Sequence, residues 1–176
     1  DVFVNALTIT SDDDTTGGAE SSSMTVNGNL TATTIVLDKD TNDSTLVVAG
    51  TSTTVAGTID GAGDGEGILQ ITGAGTTISG AVGDGATSLA SIDVNATTTF
   101  SSTAEATALT VDADTTFTGA VLANTSFTVD SSAAVTLTAA SDLSLATMTT
   151  GTLTANGLLT TSDLINTAGK VYLNVA

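Results

Sequence analysis

The chain has 176 residues, enough for one domain with a sizeable core. Its 19 acids face two lysines, Lys39 and Lys170, for a formal net charge of −17, and it contains no Arg, His, Cys, Pro or Trp. Two cations cannot make a basic patch, which argues against nucleic acid and anionic membrane surfaces as partners. No stretch approaches the roughly 18 apolar residues of a membrane span, and without Cys there is neither a disulfide framework nor thiolate chemistry.

A hydrophobic content of 40% with 12% charged residues is not the profile of a disordered chain. Val, Ile, Thr and Phe favour strands. An apolar-x-apolar triplet recurs at Leu7/Ile9, Met24/Val26, Leu46/Val48, Leu69/Ile71, Ile92/Val94, Leu109/Val111, Phe127/Val129 and Leu143/Leu145. The residue between is polar in every triplet except Val47, which is period-two alternation with one face buried. Asn27, Asn95, Asp112 and Asp130 follow four of the triplets as turn formers.

A second signal follows six of the triplets, from Met24/Val26 to Phe127/Val129: Thr33-Thr34-Ile35, Thr53-Thr54-Val55, Thr76-Thr77-Ile78, Thr98-Thr99-Phe100, Thr115-Thr116-Phe117 and then Ala133-Ala134-Val135. A third sits four residues further on: Gly57-Thr58-Ile59, Gly80-Ala81-Val82 and Gly119-Ala120-Val121. From Ile9 to Leu145 the triplets recur after 17, 22, 23, 23, 17, 18 and 16 residues. Up to three short strands per unit, separated by small-residue corners, predict an all-β fold: a parallel β-solenoid (β-helix) of about eight to ten coils, 16–23 residues each, as a single domain over 1–176. Residues 1–90 are expected to form longer coils with acidic loops, and 91–176 shorter ones. An antiparallel sandwich would need more hairpin turn pairs than the Asn-Gly steps at 27–28 and 156–157. Beyond Leu145 the pattern loosens through Leu153, Leu158, Leu164 and Val171/Leu173/Val175.

The segments "LQITGAGTTISGAV" (69–82) and "LTVDADTTFTGAV" (109–121) resemble the repeats of secreted β-solenoids: autotransporter passengers, filamentous-haemagglutinin-like adhesins and surface-filament proteins. The resemblance implies an extracellular or cell-surface location and a role in adhesion, surface coating or filament building. The chain begins at Asp1 rather than Met, as a processed chain or a fragment would.

The extra residues of the long coils fall in "DKDTNDS" (38–44), "DGAGDGEG" (60–67) and "GDGATS" (83–88), and "SDDDTTGGAE" (11–20) occupies the same slot one coil earlier; the four loops hold 11 of the 19 acids. These include Asp12, Asp13, Asp14, Glu20 and Asp84. If the coils stack in register, carboxylates about 5 Å apart repel unless a cation lies between them. Oxygen-rich, Gly-rich loops suit Ca²⁺, so Asp38, Asp40, Asp43, Asp60, Asp64 and Glu66 are the candidate ligands; the competing reading is a solvated edge that keeps rods apart. The Thr clusters at 31–34, 51–54 and 97–99 raise ice binding as a minor alternative. The sequons at Asn29, Asn42, Asn95 and Asn124 are candidate glycosylation sites.

Catalysis is not expected. There is no His, Cys or Arg, and a glycan-cleaving carboxylate pair would need aromatic neighbours from a chain with one Tyr and four Phe. The apolar terminal segments, with Val2, Phe3, Val4, Val171, Tyr172, Leu173 and Val175, are the expected assembly surfaces. Uncapped solenoid ends favour heterologous stacking into open filaments. The leading expectation is a homopolymeric, head-to-tail extracellular filament or surface-layer subunit. The alternative is an adhesin or stalk module that binds a surface glycan.

Overall fold

The structure, a computed structural model, describes residues 1–11, 21–39 and 42–174. It is an all-β parallel solenoid of about seven turns, and no helix occurs among the described residues. Each turn passes three faces, and every strand pairing between turns is parallel.

The triplets build the first face. Met24, Leu46, Leu69, Ile92, Leu109, Phe127, Ala146 and Leu164 are successive register partners. Two positions on, Val26, Val48, Ile71, Val94, Val111, Val129 and Met148 form a parallel buried row. On the second face the interior row is Leu30, Val55, Ile78, Phe100, Phe117, Leu137 and Ala155. On the third it is Leu7, Ile35, Ile59, Val82, Ala104, Val121, Ser141 and Leu159. Each face therefore repeats one or two inward positions per turn in layers about 4.8 Å apart.

Four expectations of register are corrected. Leu7/Ile9 is not a first-face triplet; it pairs with Ile35/Leu37 on the third face. Ile35 accordingly belongs to the third face, and Leu30 fills the second-face position of its turn. Near the other end Leu143 pairs with Ala123 on the third face, while Ala146 and Met148 take the first-face positions. Val135 pairs with Thr115, so Leu137 and not Val135 continues from Phe117. Counting Leu7/Ile9 as a separate unit is one reason the expected eight to ten coils exceed the observed seven or so. In each case an apolar alternation is real, but alternation alone does not say which face it serves.

The difference between long and short coils is a change of corner. In the first half the strands Leu30–Asp38 and Thr54–Gly61 run continuously from the second face into the third, and the acidic insertions interrupt the passage from third to first. In the second half the strands Ala104–Val111 and Val121–Val129 run continuously through that passage instead. A bulge between Ala106 and Ala108 carries the bend. The second-to-third corner then needs a tight approach: a Cβ on Gly119 would lie 2.4 Å from the Ser102 carbonyl oxygen. That is the physical content of the Gly-x-Val signal.

The interior is balanced by volume. Phe100 and Phe117 stack with ring centroids 4.8 Å apart, and Ala104, Ala106 and Ala123 are buried alongside them in the same part of the core. A column of buried threonines, Thr53, Thr76, Thr98 and Thr115, precedes the second-face row. The Thr76, Thr98 and Thr115 hydroxyls donate to the Gly73, Ala96 and Ala113 carbonyls at 2.6, 2.7 and 2.8 Å. Thr53 Oγ1 is buried without a partner. An unsatisfied buried hydroxyl costs about 1–3 kcal/mol, so Thr53→Val, which keeps the branched shape, is expected to stabilise the chain by about 1 kcal/mol in chemical denaturation. Thr98→Val, which deletes a made bond, is expected to show no such gain.

Candidate functional site

The described acidic loop residues, 38–39, 42–44, 60–67 and 83–88, stack on one edge, at the passage from third to first face. Asp43 Oδ1 accepts from the Gly67 amide one turn on at 3.0 Å, and the Ser88 hydroxyl donates to Asp64 Oδ1. The backbone joins in: Gly61 and Gly65 donate to Thr87 and Ser88 carbonyls at 3.0 and 2.9 Å. Glu105, almost buried, accepts from the Gly85 amide at 2.8 Å and from Asn124 Nδ2 at 3.3 Å, linking three turns. Lys39 pairs with Asp43 at 3.5 Å. These carboxylates serve as acceptors for donors on neighbouring turns, where the irregular loops leave amides outside the strand ladders.

The same stacking raises some carboxyl pKa values. Burial pushes Asp60 up, partly offset by a hydrogen bond from Thr58, and the Asp84 carboxylate pushes it further. Burial, then the Asp112 charge, raises Asp93 on the outer side of the first face. The Thr149 hydroxyl at 2.5 Å and the Ser131 amide at 2.7 Å lower exposed Asp130.

Among the described residues no group of three carboxylates converges to hold a metal ion. Of the candidate Ca²⁺ ligands, Asp43 and Asp64 are engaged by neighbouring turns, Asp38, Asp60 and Glu66 lie along the same edge, and Asp40 lies outside the described residues. Asp12, Asp13, Asp14 and Glu20 also lie outside them. Asn29, Asn95 and Asn124 are exposed and Asn42 is half-buried. Asn29 Oδ1 accepts from the Thr54 amide at 2.8 Å, so two of the four sequon side chains, Asn29 and Asn124, are already tied to other turns.

The ends differ from the rest of the surface. Every exposed large hydrophobic among the described residues is Val2, Phe3 or Val4 in the first turn, or Leu158, Leu164, Ile165, Tyr172 or Leu173 in the last. Phe3 is 73% exposed and Leu173 58%. Val171 is half-buried against the core, and Val175 lies outside the described residues. Leu158, Leu164 and Ile165 were not among the expected assembly residues. Their signal was the loose continuation of the repeat after Leu145: Leu164 holds an interior position, partner to Ala146, with no described residue covering it from the far side. Beside Leu158 a shallow apolar groove of about 270 Å³ runs over Ala120, Leu122 and Ala140.

No family model, curated protein or solved structure matches the chain.

The pKa shifts give a signed pH dependence. Asp60 and Asp93 have folded pKa values above the unfolded value of about 3.9, so their ionisation opposes folding at pH 7. The opposition fades as pH falls through the raised values toward about 3.9. Asp130 acts oppositely, its contribution being lost only below about 3.9, as pH falls through its lowered value. The thermal midpoint is therefore expected to rise between pH 7 and about 4.5. Asp60→Asn with Asp93→Asn should raise the pH 7 midpoint and flatten that rise, as followed by circular dichroism; an unchanged slope would contradict the assignment.

Proposed function

We propose that the chain is a structural rod: a subunit of an extracellular filament or surface layer that joins head to tail through its two ends. The observation that carries this reading is that, among the described residues, exposed large hydrophobics are confined to the first and last turns. A monomeric soluble surface rarely concentrates apolar side chains this way without a partner. The strands at these ends, Val2–Phe3 and Lys170–Leu173, each pair on one side only among the described residues, and an outer edge of that kind templates further pairing. Two different ends meeting make a heterologous contact, which propagates as an open filament. The charge of −17 discourages association along the flanks and leaves the ends as the place of lowest repulsion. The resemblance of segments 69–82 and 109–121 to secreted solenoids supports a location outside the cell.

Electron microscopy and sedimentation velocity of the purified chain test this. The expected result is end-to-end strings one solenoid wide that lengthen with protein concentration. Ile165→Lys with Leu173→Glu should shorten or abolish them at unchanged circular dichroism. Monodisperse monomers at all concentrations, or strings indifferent to these substitutions, would contradict the proposal.

A further inference from the structure

The outer side of the second face has a property independent of the ends. Thr54, Thr77, Thr99, Thr116, Thr136 and Thr154 are consecutive register partners, one per turn, with no bulge in the row. Thr54 and Thr116 are exposed and the other four half-buried; two positions along, Ser79, Ser101, Thr118 and Thr138 form a second column, all exposed, their amides bonded to the Val55, Ile78, Phe100 and Phe117 carbonyls of the preceding turns. The rungs are about 4.8 Å apart and the columns about 6.6 Å. In a chain with 19 acids, these two columns carry no charge.

Among the described residues, none of the six hydroxyls of the first column bonds to the protein, whereas buried Thr76, Thr98 and Thr115 on the same strands each do. Thr is stiff at χ1, so hydroxyl and methyl recur in near-fixed positions on each rung. The result is a rigid grid of free donor-acceptor groups separated by apolar ones.

The size and chemistry of the grid select its partner. Five steps of about 4.8 Å by a width of about 10 Å give roughly 250 Å², well under the roughly 800 Å² per side of a stable protein interface. A second copy or a folded protein is therefore a poor occupant. Ionic ligands find no counter-charge here. Sugar polymers would want stacking aromatics, and only Tyr172, at the end of the Thr row, supplies one. A crystalline array of neutral groups that each donate and accept, repeating on the same scale as the rungs, meets none of these objections. We propose that the Thr54–Thr154 face binds the surface of ice, its hydroxyls joining the ordered water and its methyls excluding loose water between rungs.

Nanolitre osmometry and crystal-habit microscopy test it. The wild-type chain should facet growing ice crystals and hold their freezing point below their melting point. Thr99→Lys with Thr136→Lys, both on the face, should reduce that gap at least several-fold. Thr116→Val with Thr136→Val, which keep the branched shape, should reduce it less. Thr128→Lys, on the outer side of the first face, should leave it unchanged. Circular dichroism checks that each variant folds. Absence of faceting in the wild type, or an equal loss in Thr128→Lys, would overturn the proposal, as would face variants that change only the association state. None of these outcomes bears on end-to-end joining.

Discussion

The structure depends on one constraint: each turn must place at least one apolar side chain on each of three faces directly over its counterpart in the turn before. The ladder that meets it on the second face, Leu30 to Ala155, is buried throughout. Burying a Val, Leu, Ile or Phe side chain contributes roughly 1.5–3 kcal/mol relative to exposure. Repeated on three faces, this outweighs any single loop or corner. It also makes the register strict, because a slip of one residue would turn an entire inner row outward. The coils can then vary in length, since insertions are tolerated wherever the ladder positions still superpose.

The charges follow from that freedom. Extra residues enter at the corner between third and first faces, where loops leave amides outside the strand ladders. Asp43, Asp64 and Glu105 accept from donors on adjacent turns. The cost falls on Asp60, whose pKa is raised by burial first and then by the Asp84 charge; outside the insertions, burial and then the Asp112 charge raise Asp93 on the first face. When the insertion disappears, the strands Ala104–Val111 and Val121–Val129 close the same corner with regular backbone bonds.

Much of this was legible in the sequence. The triplets, the Thr-Thr-apolar signal and the Gly-x-Val corners announced three strands per turn, because period-two burial and corner glycines are local requirements. The acidic insertions could be located because they lengthened the interval between triplets. Assigning Leu7/Ile9 and Leu143/Leu145 to a face was not achievable locally, since two faces impose the same alternation and only pairing with Ile35/Leu37 and Ala123 distinguishes them. The outer Thr row was hidden for the same reason. In Thr98-Thr99 one residue is buried and the next faces out, and nothing in the pair itself says that Thr99 aligns with Thr77 and Thr116. The exposed Leu164 was obscured because it reads as a core residue and becomes surface only by lying in the last described turn.

Both proposed activities rest on the same ladder, one on its open ends and one on its outer side. Its geometry can be measured directly by double electron–electron resonance, since a chain without Cys accepts spin labels at chosen sites. With labels at Thr54→Cys and Thr154→Cys, the stacked register places the two backbone sites five steps apart, at about 24 Å. Moving the first label to Thr77→Cys should shorten the separation by one step, about 4.8 Å. Distances that scale with the number of rungs would support the in-register solenoid. Distances that ignore rung number, or a broad distribution, would contradict it.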